Sequence, residues 1–354
     1  MIKFRPIWAD SLGAKSFSIF IEAGGASILI DPGVAKMQPG YPADKEFKTK
    51  CWSEARNLIT EYLSKANNVV ITHYHHDHYF WQDADIVKYY GKHLFIKNPN
   101  KYINDSQRNR AFLFLNQIIR YIVSDDVEKY LVDPREKTFI DYVENYHEAL
   151  NLDLGDYNKR RQELLEKGRK WFESRINVWI SNPWFKEFSC DKIKISFIDG
   201  KQVTIGDLKL RFTEPLFHGI EYSRVGWVIA LVIEYIGDKI IYTSDIQGPT
   251  VEDYATWIIN ENPRVLILDG PPTYLIPYSM NLYNFRRTIK NLIKIINLTE
   301  NLKLIIYDHH LTREPKYRNK VHDVYLAAKE KGIEVLTVAE YLGVESAFEK
   351  LGLT

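Results

Sequence analysis

Residues Thr72 to Tyr79 read THYHHDHY, which places four of the chain's ten histidines and an aspartate within eight residues. Imidazole nitrogens and a carboxylate oxygen at this density, without thiolates, suit zinc, manganese or iron. The apolar run before it, NNVVIT, reads as a strand, and alternate side chains of a strand share a face. His73 and His75 are therefore expected to aim at one ion while Tyr74 faces elsewhere. Asp77 and His78 follow as the chain turns and are placed to reach a second ion beside the first. Each catalytic ion needs several protein ligands and an open position for water, so other strand ends must supply more. Three places qualify. His218 in EPLFHG precedes Gly219, whose missing side chain lets the backbone come close to a ligand. Asp245 in IIYTSDIQGP stands at the tip of a strand before Gly248 and Pro249. Asp308, His309 and His310 end the apolar run LKLIIYDHH, where alternation lets one of the two histidines share a given face; His309 is the favoured ligand.

The elements that must position these groups follow from the patterning. SFSIFIEAGG and ASILIDPG read as a hairpin turning at Gly24 and Gly25. In SEARNLITEYLSKAN the apolar residues recur at helical spacing. From about 104 to 188 strand signals give way to long helical patterns such as SQRNRAFLFLNQIIRYIV, so this block reads as a helical insertion. Strands return in KIKISFIDGKQVTI, with a hairpin turn expected at Asp199 and Gly200, and in GWVIALVIEYIGDKIIYTSD, with another at Gly237 and Asp238. The last third alternates strands and helices, from RVLILDG through LYNFRRTIKNLIKIINL to EVLTV. The simplest architecture is α/β (α+β): two mixed sheets stacked between helix layers, with one helical excursion.

Composition narrows the function. Lys+Arg 47 against Asp+Glu 46 gives no global attraction to nucleic acid or to an anionic membrane. Residues 101 to 200 carry 17 of each sign, so the insertion is not a basic platform. The two cysteines, Cys51 and Cys190, form neither a disulfide framework nor a thiolate zinc site, and a reducing cytoplasm is the expected location. The start, MIKFRPIWADSLG, has no apolar run of the signal-peptide kind, and no stretch is long enough to span a membrane.

The spacing of His73, His75, Asp77 and His78 resembles the HxHxDH signature of the metallo-β-lactamase superfamily. Asp31, His218, Asp245 and His309 follow its order of further site residues. DSLGAKSFSIFIE, ILIDPGVA, SQRNRA, SDIQGP, LDGPPTYL and DHHLTRE look like an archaeal branch of that superfamily described as predicted metal-dependent hydrolases. The resemblance implies a four-layer αββα sandwich, expected as one domain over 1–354; the helical block 104–188 departs from the common superfamily core and is expected as an insertion, a candidate lid or substrate subdomain. It also implies two divalent ions, zinc foremost with manganese or iron as alternatives. His73, His75 and His218 would hold one, Asp77, His78 and His309 the other, and Asp245 would bridge them. Asp31 would hydrogen-bond ligands without touching metal.

The chemistry expected is hydrolysis by a hydroxide bridging two metal ions, since a water shared by two cations ionises at about pH 7. Asp77 would orient it, and Asp308 or His310 would protonate the leaving group. The substrate expected first is a phosphodiester, in nucleic acid or a nucleotide, with Arg313 able to contact phosphate. A small ester, thioester, lactone or amide is the alternative; Trp171, Phe172, Trp179, Trp184 and Phe185 could form a lid over it, but their helical spacing favours a place in the core. A non-hydrolytic metal-binding or redox protein is the third reading.

Overall fold

The computed structural model describes residues 1–353. Two seven-stranded mixed sheets are stacked. The first runs in the order Lys3–Ala9, Phe17–Ala23, Ala26–Ile30, Asn68–Ile71, His93–Ile96, Ile193–Phe197 and Phe188–Cys190. The second runs Gln202–Ile205, Leu208–Phe212, Leu231–Tyr235, Asp238–Tyr242, Val265–Asp269, Leu304–Asp308 and Glu334–Leu336. In each, antiparallel neighbours at one side pass into parallel ones, so several strands end on the same edge.

The second sheet shows why its strands are apolar without interruption. Ile240, Tyr242, Val265, Ile267 and Ile306 belong to the core shared with the first sheet. Their chain neighbours Ile241, Leu266, Leu268, Ile305 and Tyr307 pack outward under helices Glu252–Glu261, Leu282–Leu298 and His322–Lys331. A sheet covered on both faces needs apolar residues at every position. Helix Lys45–Lys65 covers the first sheet through Ala55, Ile59 and Leu63. It begins well before Ser53 because the Asp44 side chain caps it, accepting from the Phe47 amide at 2.7 Å. The layers are thus helix, sheet, sheet, helix, as the resemblance implied.

One expected turn is not a hairpin. Strands Ile193–Phe197 and Gln202–Ile205 lie in different sheets, and Asp199 with Gly200 is where the chain crosses between them. The Asp199 carboxylate is fastened to the first sheet's edge by Lys97 Nζ at 3.0 Å and the Asn98 amide at 2.6 Å. Gly200, at φ 66°, then sends the chain across. The turn at Gly237 and Asp238 does join a hairpin, Leu231–Tyr235 with Asp238–Tyr242.

The block from 104 to 188 is helical, built on Asp105–Ile118 and Asn158–Ser181, and a short ribbon of Leu131–Val132 with Trp184–Phe185 closes it. Its large aromatics are mostly packed inside, although Trp184 and Phe185 also border a cavity with Tyr102 and Tyr142. Phe172, Trp179, Trp184 and Phe185 are buried, and Trp171 stacks on Trp227 with ring centroids 5.2 Å apart. Phe172, Trp179 and Phe185 join the same apolar cluster as the first sheet, the core placement that their helical spacing favours. Among the described residues no helix is long and apolar enough to cross a membrane. Replacing Trp179 with alanine should cost about 3–5 kcal/mol. Because the core is shared, the urea transition of the whole chain should move; an undisturbed main transition beside an early minor one would show the block to be separable.

Candidate metal centre

Each candidate ligand sits just past a strand, on the edge where the two sheets' strand ends meet. Strand Asn68–Ile71 delivers Thr72 and His73, Ala26–Ile30 delivers Asp31, Asp238–Tyr242 leads to Asp245, and Leu304–Asp308 leads to His309. Several of these turns are tight. Asp31, Ser244 and His309 have φ of 46°, 55° and 58°, a region that costs a non-glycine residue energy and clusters at functional sites. Gly33 lets the loop after Asp31 press on the signature, since a Cβ there would lie 2.1 Å from the Tyr79 amide nitrogen.

The seven expected ligands converge. One ligand atom each from His73, His75, His218 and Asp245 lies within 4.8 Å of the others, and the same holds for Asp77, His78 and His309. Asp245 Oδ2 is 3.4 Å from His73 Nε2, 3.1 Å from His78 Nε2 and 3.4 Å from His218 Nε2, while its Oδ1 is 3.4 Å from His309 Nε2. The carboxylate therefore stands between the two groups. His78 Nε2, both ring nitrogens of His218 and Asp245 Oδ1 are buried without a hydrogen-bond partner. Buried polar atoms are nearly always paired, so rings that approach a carboxylate without aligning to it mark a point around which ligands are arranged. Nitrogen and oxygen donors of this kind fit divalent zinc, manganese or iron. His309 is the histidine whose Nε2 also reaches toward Asp77, at 4.0 Å from Oδ2. The His310 Nδ1 is held by Asp269 Oδ1 at 2.8 Å, yet its ring remains grouped with Asp245 and His309 at the cleft.

The ligand rings are held from behind by carboxylates. Asp31 Oδ2 accepts from His78 Nδ1 at 2.9 Å, Thr72 Oγ1 at 2.6 Å and Tyr242 Oη at 2.7 Å, and Oδ1 accepts from the Thr72 amide at 2.8 Å. Asp31 also forms a candidate ligand group with His73 and His78, and it meets the His78 ring on the side away from Asp245. Asp10 does the same for His309, with Oδ1 at 3.0 Å from Nδ1, and also binds Arg313 Nε. Asp10 and Asp269 had no mechanistic assignment from the sequence. The signal for Asp10 was its place in the DSLGAKSFSIFIE stretch, but the chain distance to His309 hid the contact. Asp308, expected as a proton donor, is taken up otherwise. Its two oxygens accept from the Ser11 amide at 3.0 Å, the His309 amide at 2.7 Å, Thr312 Oγ1 at 2.8 Å and the Val338 amide at 2.7 Å. With four donors on one buried carboxylate, its geometry is that of an anchor for the His309 turn.

The helical block braces two ligand loops. The Gln107 side chain accepts from the Tyr74 amide at 3.2 Å and donates to the Val225 carbonyl at 2.9 Å, linking the His73–His75 segment to the loop after His218. Gly168 lies against Tyr222, where a Cβ would come within 2.4 Å of the side chain. Arg161 Nη2 donates to Glu221 Oε1 at 2.7 Å, and Arg287 donates to both Glu221, at 2.7 Å, and Glu252, at 2.6 Å. All four side chains of this network are buried, and Glu221 is three residues from His218.

The electrostatics match a cation site. Burial, then the nearby His78, pull His73 down to about 4, so its imidazole is neutral and able to ligate. For His78 burial is outweighed by Asp245 and Asp31, and the ring is pushed up to about 10. Burial would raise Asp77, but His78, His309 and Arg313 hold it below the usual carboxylate range. A cation placed here would take over the positive charge that the carboxylates demand.

Stacked mixed sheets between helices, with imidazoles and carboxylates from the strand ends of both gathered at one edge, define a metallo-β-lactamase-type sandwich. No family model matches the chain. It is 32% identical over 361 residues to a UPF0282 protein of Pyrococcus abyssi, covering 98% of this chain and 89% of that one. To a UPF0282 protein of Thermococcus kodakarensis it is 31% identical over 353 residues, covering 96% and 90%. The chain belongs to the UPF0282 family. Among solved structures it is similar to Igni18, a metallo hydrolase of Ignicoccus hospitalis, with 14% identity, 95% of each chain covered and a TM-score of 0.40.

Two measurements check this geometry. Asp31→Ala and Asp10→Ala should each weaken uptake of the cation at Asp77, His78 and His309 by about 10- to 100-fold, leaving the site at His73, His75 and His218 filled in chelator competition. Arg287→Met leaves Glu221 and Glu252 buried short of positive charge and should cost about 3–5 kcal/mol in urea unfolding.

Proposed function

We propose that the chain is a metal-dependent hydrolase whose substrate is a phosphodiester, in a nucleotide or nucleic acid. The observation that carries this reading is the meeting of seven imidazole and carboxylate groups, five of them buried, with ligand atoms of His78, His218 and Asp245 left without hydrogen-bond partners. His73, His75 and His218 would hold one divalent cation, Asp77, His78 and His309 a second, and Asp245 would touch both, with zinc the ion that suits the donors best and manganese or iron next. Such a pair supplies Lewis acidity and a hydroxide nucleophile near neutral pH.

The chain's own side chains do the rest. Asp77, more open to the cleft than Asp245, is placed to orient the attacking water. His310, steadied through Nδ1 by Asp269 and grouped with Asp245 and His309, is the side chain we assign to pass a proton to the leaving oxygen. The rim favours an anion. Arg313 Nη2 lies 3.7 Å from Asp77 Oδ2 and 3.5 Å from His309 Nε2, oriented by Asp10 and by Tyr274 Oη at 3.2 Å from Nη1. Lys15 is close enough to Asp77, Asp10 and Arg313 to feel their charges, and Arg110 sits beside His76. Cations at the mouth of a desolvated site raise the local concentration of anionic substrates and stabilise charge that builds during attack.

The test is the protein loaded with zinc or manganese, offered bis-p-nitrophenyl phosphate, RNA, a lactone and a thioester. Turnover of the phosphodiesters alone is the expected result, lost with His75→Ala together with at least one cation. Turnover of only the neutral esters would put the substrate in the other class, and none at all with two cations bound would favour a non-hydrolytic role.

A further inference from the structure

Next to the metal centre is a second cleft that the hydrolytic reading leaves unused. It encloses about 260 Å³ and is walled by Ala35 and Lys36, by Trp52 and Arg56 of helix Lys45–Lys65, and by His76 and Trp81. His76 lies in the chain between the ligands His75 and Asp77, so the cleft starts one residue from the metal centre. Its ring stacks on Trp81 with centroids 4.2 Å apart and planes 17° from parallel. His76, Trp52 and Trp81 are all only partly buried, although rings of this size are costly to leave near water without a partner.

The charges around the cleft have one sign toward solvent. Lys36 Nζ lies 5.5 Å from the Trp52 ring centroid and donates to Thr49 Oγ1 at 2.9 Å, while Arg56 is 5.8 Å from the same centroid and tied to Asp85. The neighbouring residue Ala35 exchanges both backbone hydrogen bonds with Lys15, at 2.9 Å each. This bridge fastens the loop that carries Lys36 to the segment that carries Lys15, which lies near Asp77, Asp10 and Arg313, so the cleft and the metal centre are tied through one pair of loops. Flat rings bind stacked aromatic side chains whatever their hydrogen-bonding pattern, and cations nearby add to the attraction.

Resting on the anionic-substrate reading above, we propose that this cleft receives the nucleobase of a substrate whose phosphate lies at the metal centre, which makes the substrate class a nucleotide phosphodiester. The ribose serves as the spacer between the two parts. Trp81 and His76 form the stacking platform, Trp52 closes the opposite side, and Lys36 attracts a further phosphate.

The experiment is equilibrium binding of AMP, the kind of product such a cleavage leaves, and of ribose 5-phosphate to the zinc-loaded protein, followed by calorimetry, with metal content checked in every variant. AMP is expected to bind about tenfold more tightly than ribose 5-phosphate. Trp81→Leu, and independently the partly exposed His76→Ser, should bring AMP down to the ribose 5-phosphate value while leaving the latter within about twofold. Equal affinities in the unaltered protein would overturn the base cleft and leave the anionic reading intact. A preference for AMP that survives both substitutions would also overturn it, because the ring would then bind elsewhere. Binding of neither compound by a protein with full metal content would sink the anionic reading and this inference together.

Discussion

The structure depends on one buried anion. Asp245 is 1% exposed, and its two oxygens are approached by four imidazoles contributed from distant parts of the chain. Removing a carboxylate from water costs several kcal/mol unless positive charge compensates it. The surrounding rings offer that charge only in part, because burial keeps His73 and His75 neutral. A divalent cation bound among these groups would supply the rest, and the ligand loops of the two sheets bring them together at their common edge.

Rigidity is arranged behind the ligands, not among them. Asp31 and Asp10 each hold the far nitrogen of a ligand histidine, which fixes both the ring's direction and the nitrogen that faces the cleft. Asp308 ties together the start of the chain, the His309 turn and the amide of Val338. The helical block does the corresponding work for His218 through Gln107, Arg161 and the contact of Gly168 with Tyr222. The inserted segment also braces the ligand loops, joined to the core by Phe172, Trp179 and Phe185.

Much of this was legible in the residues. The HxHHDH spacing, the isolated His218 and the strand-end Asp245 pointed to one another because each ends an apolar run, and the alternation of apolar residues located both sheets. Local pattern failed where the answer depended on the partner. Asp199 and Gly200 have the composition of a hairpin turn, but the salt link from Lys97 fastens Asp199 to one sheet and the chain departs to the other. Asp308 looked like an acid at a strand tip, and only the folded chain brings Ser11 and Val338 to occupy it. Glu221 and Arg287 carry no signal in the sequence, since a buried ion network leaves no periodic trace in either segment.

The contact between Asp10 and His309 spans 299 residues of chain. At about 5–20 residues per second of synthesis, roughly 15 to 60 s separate the two on the ribosome. During that interval the nascent polypeptide displays His73 to His78 without Asp245 or His309 to complete the coordination. The geometry described here therefore becomes available only after translation has passed strand Leu304–Asp308 and the His309 turn that follows it.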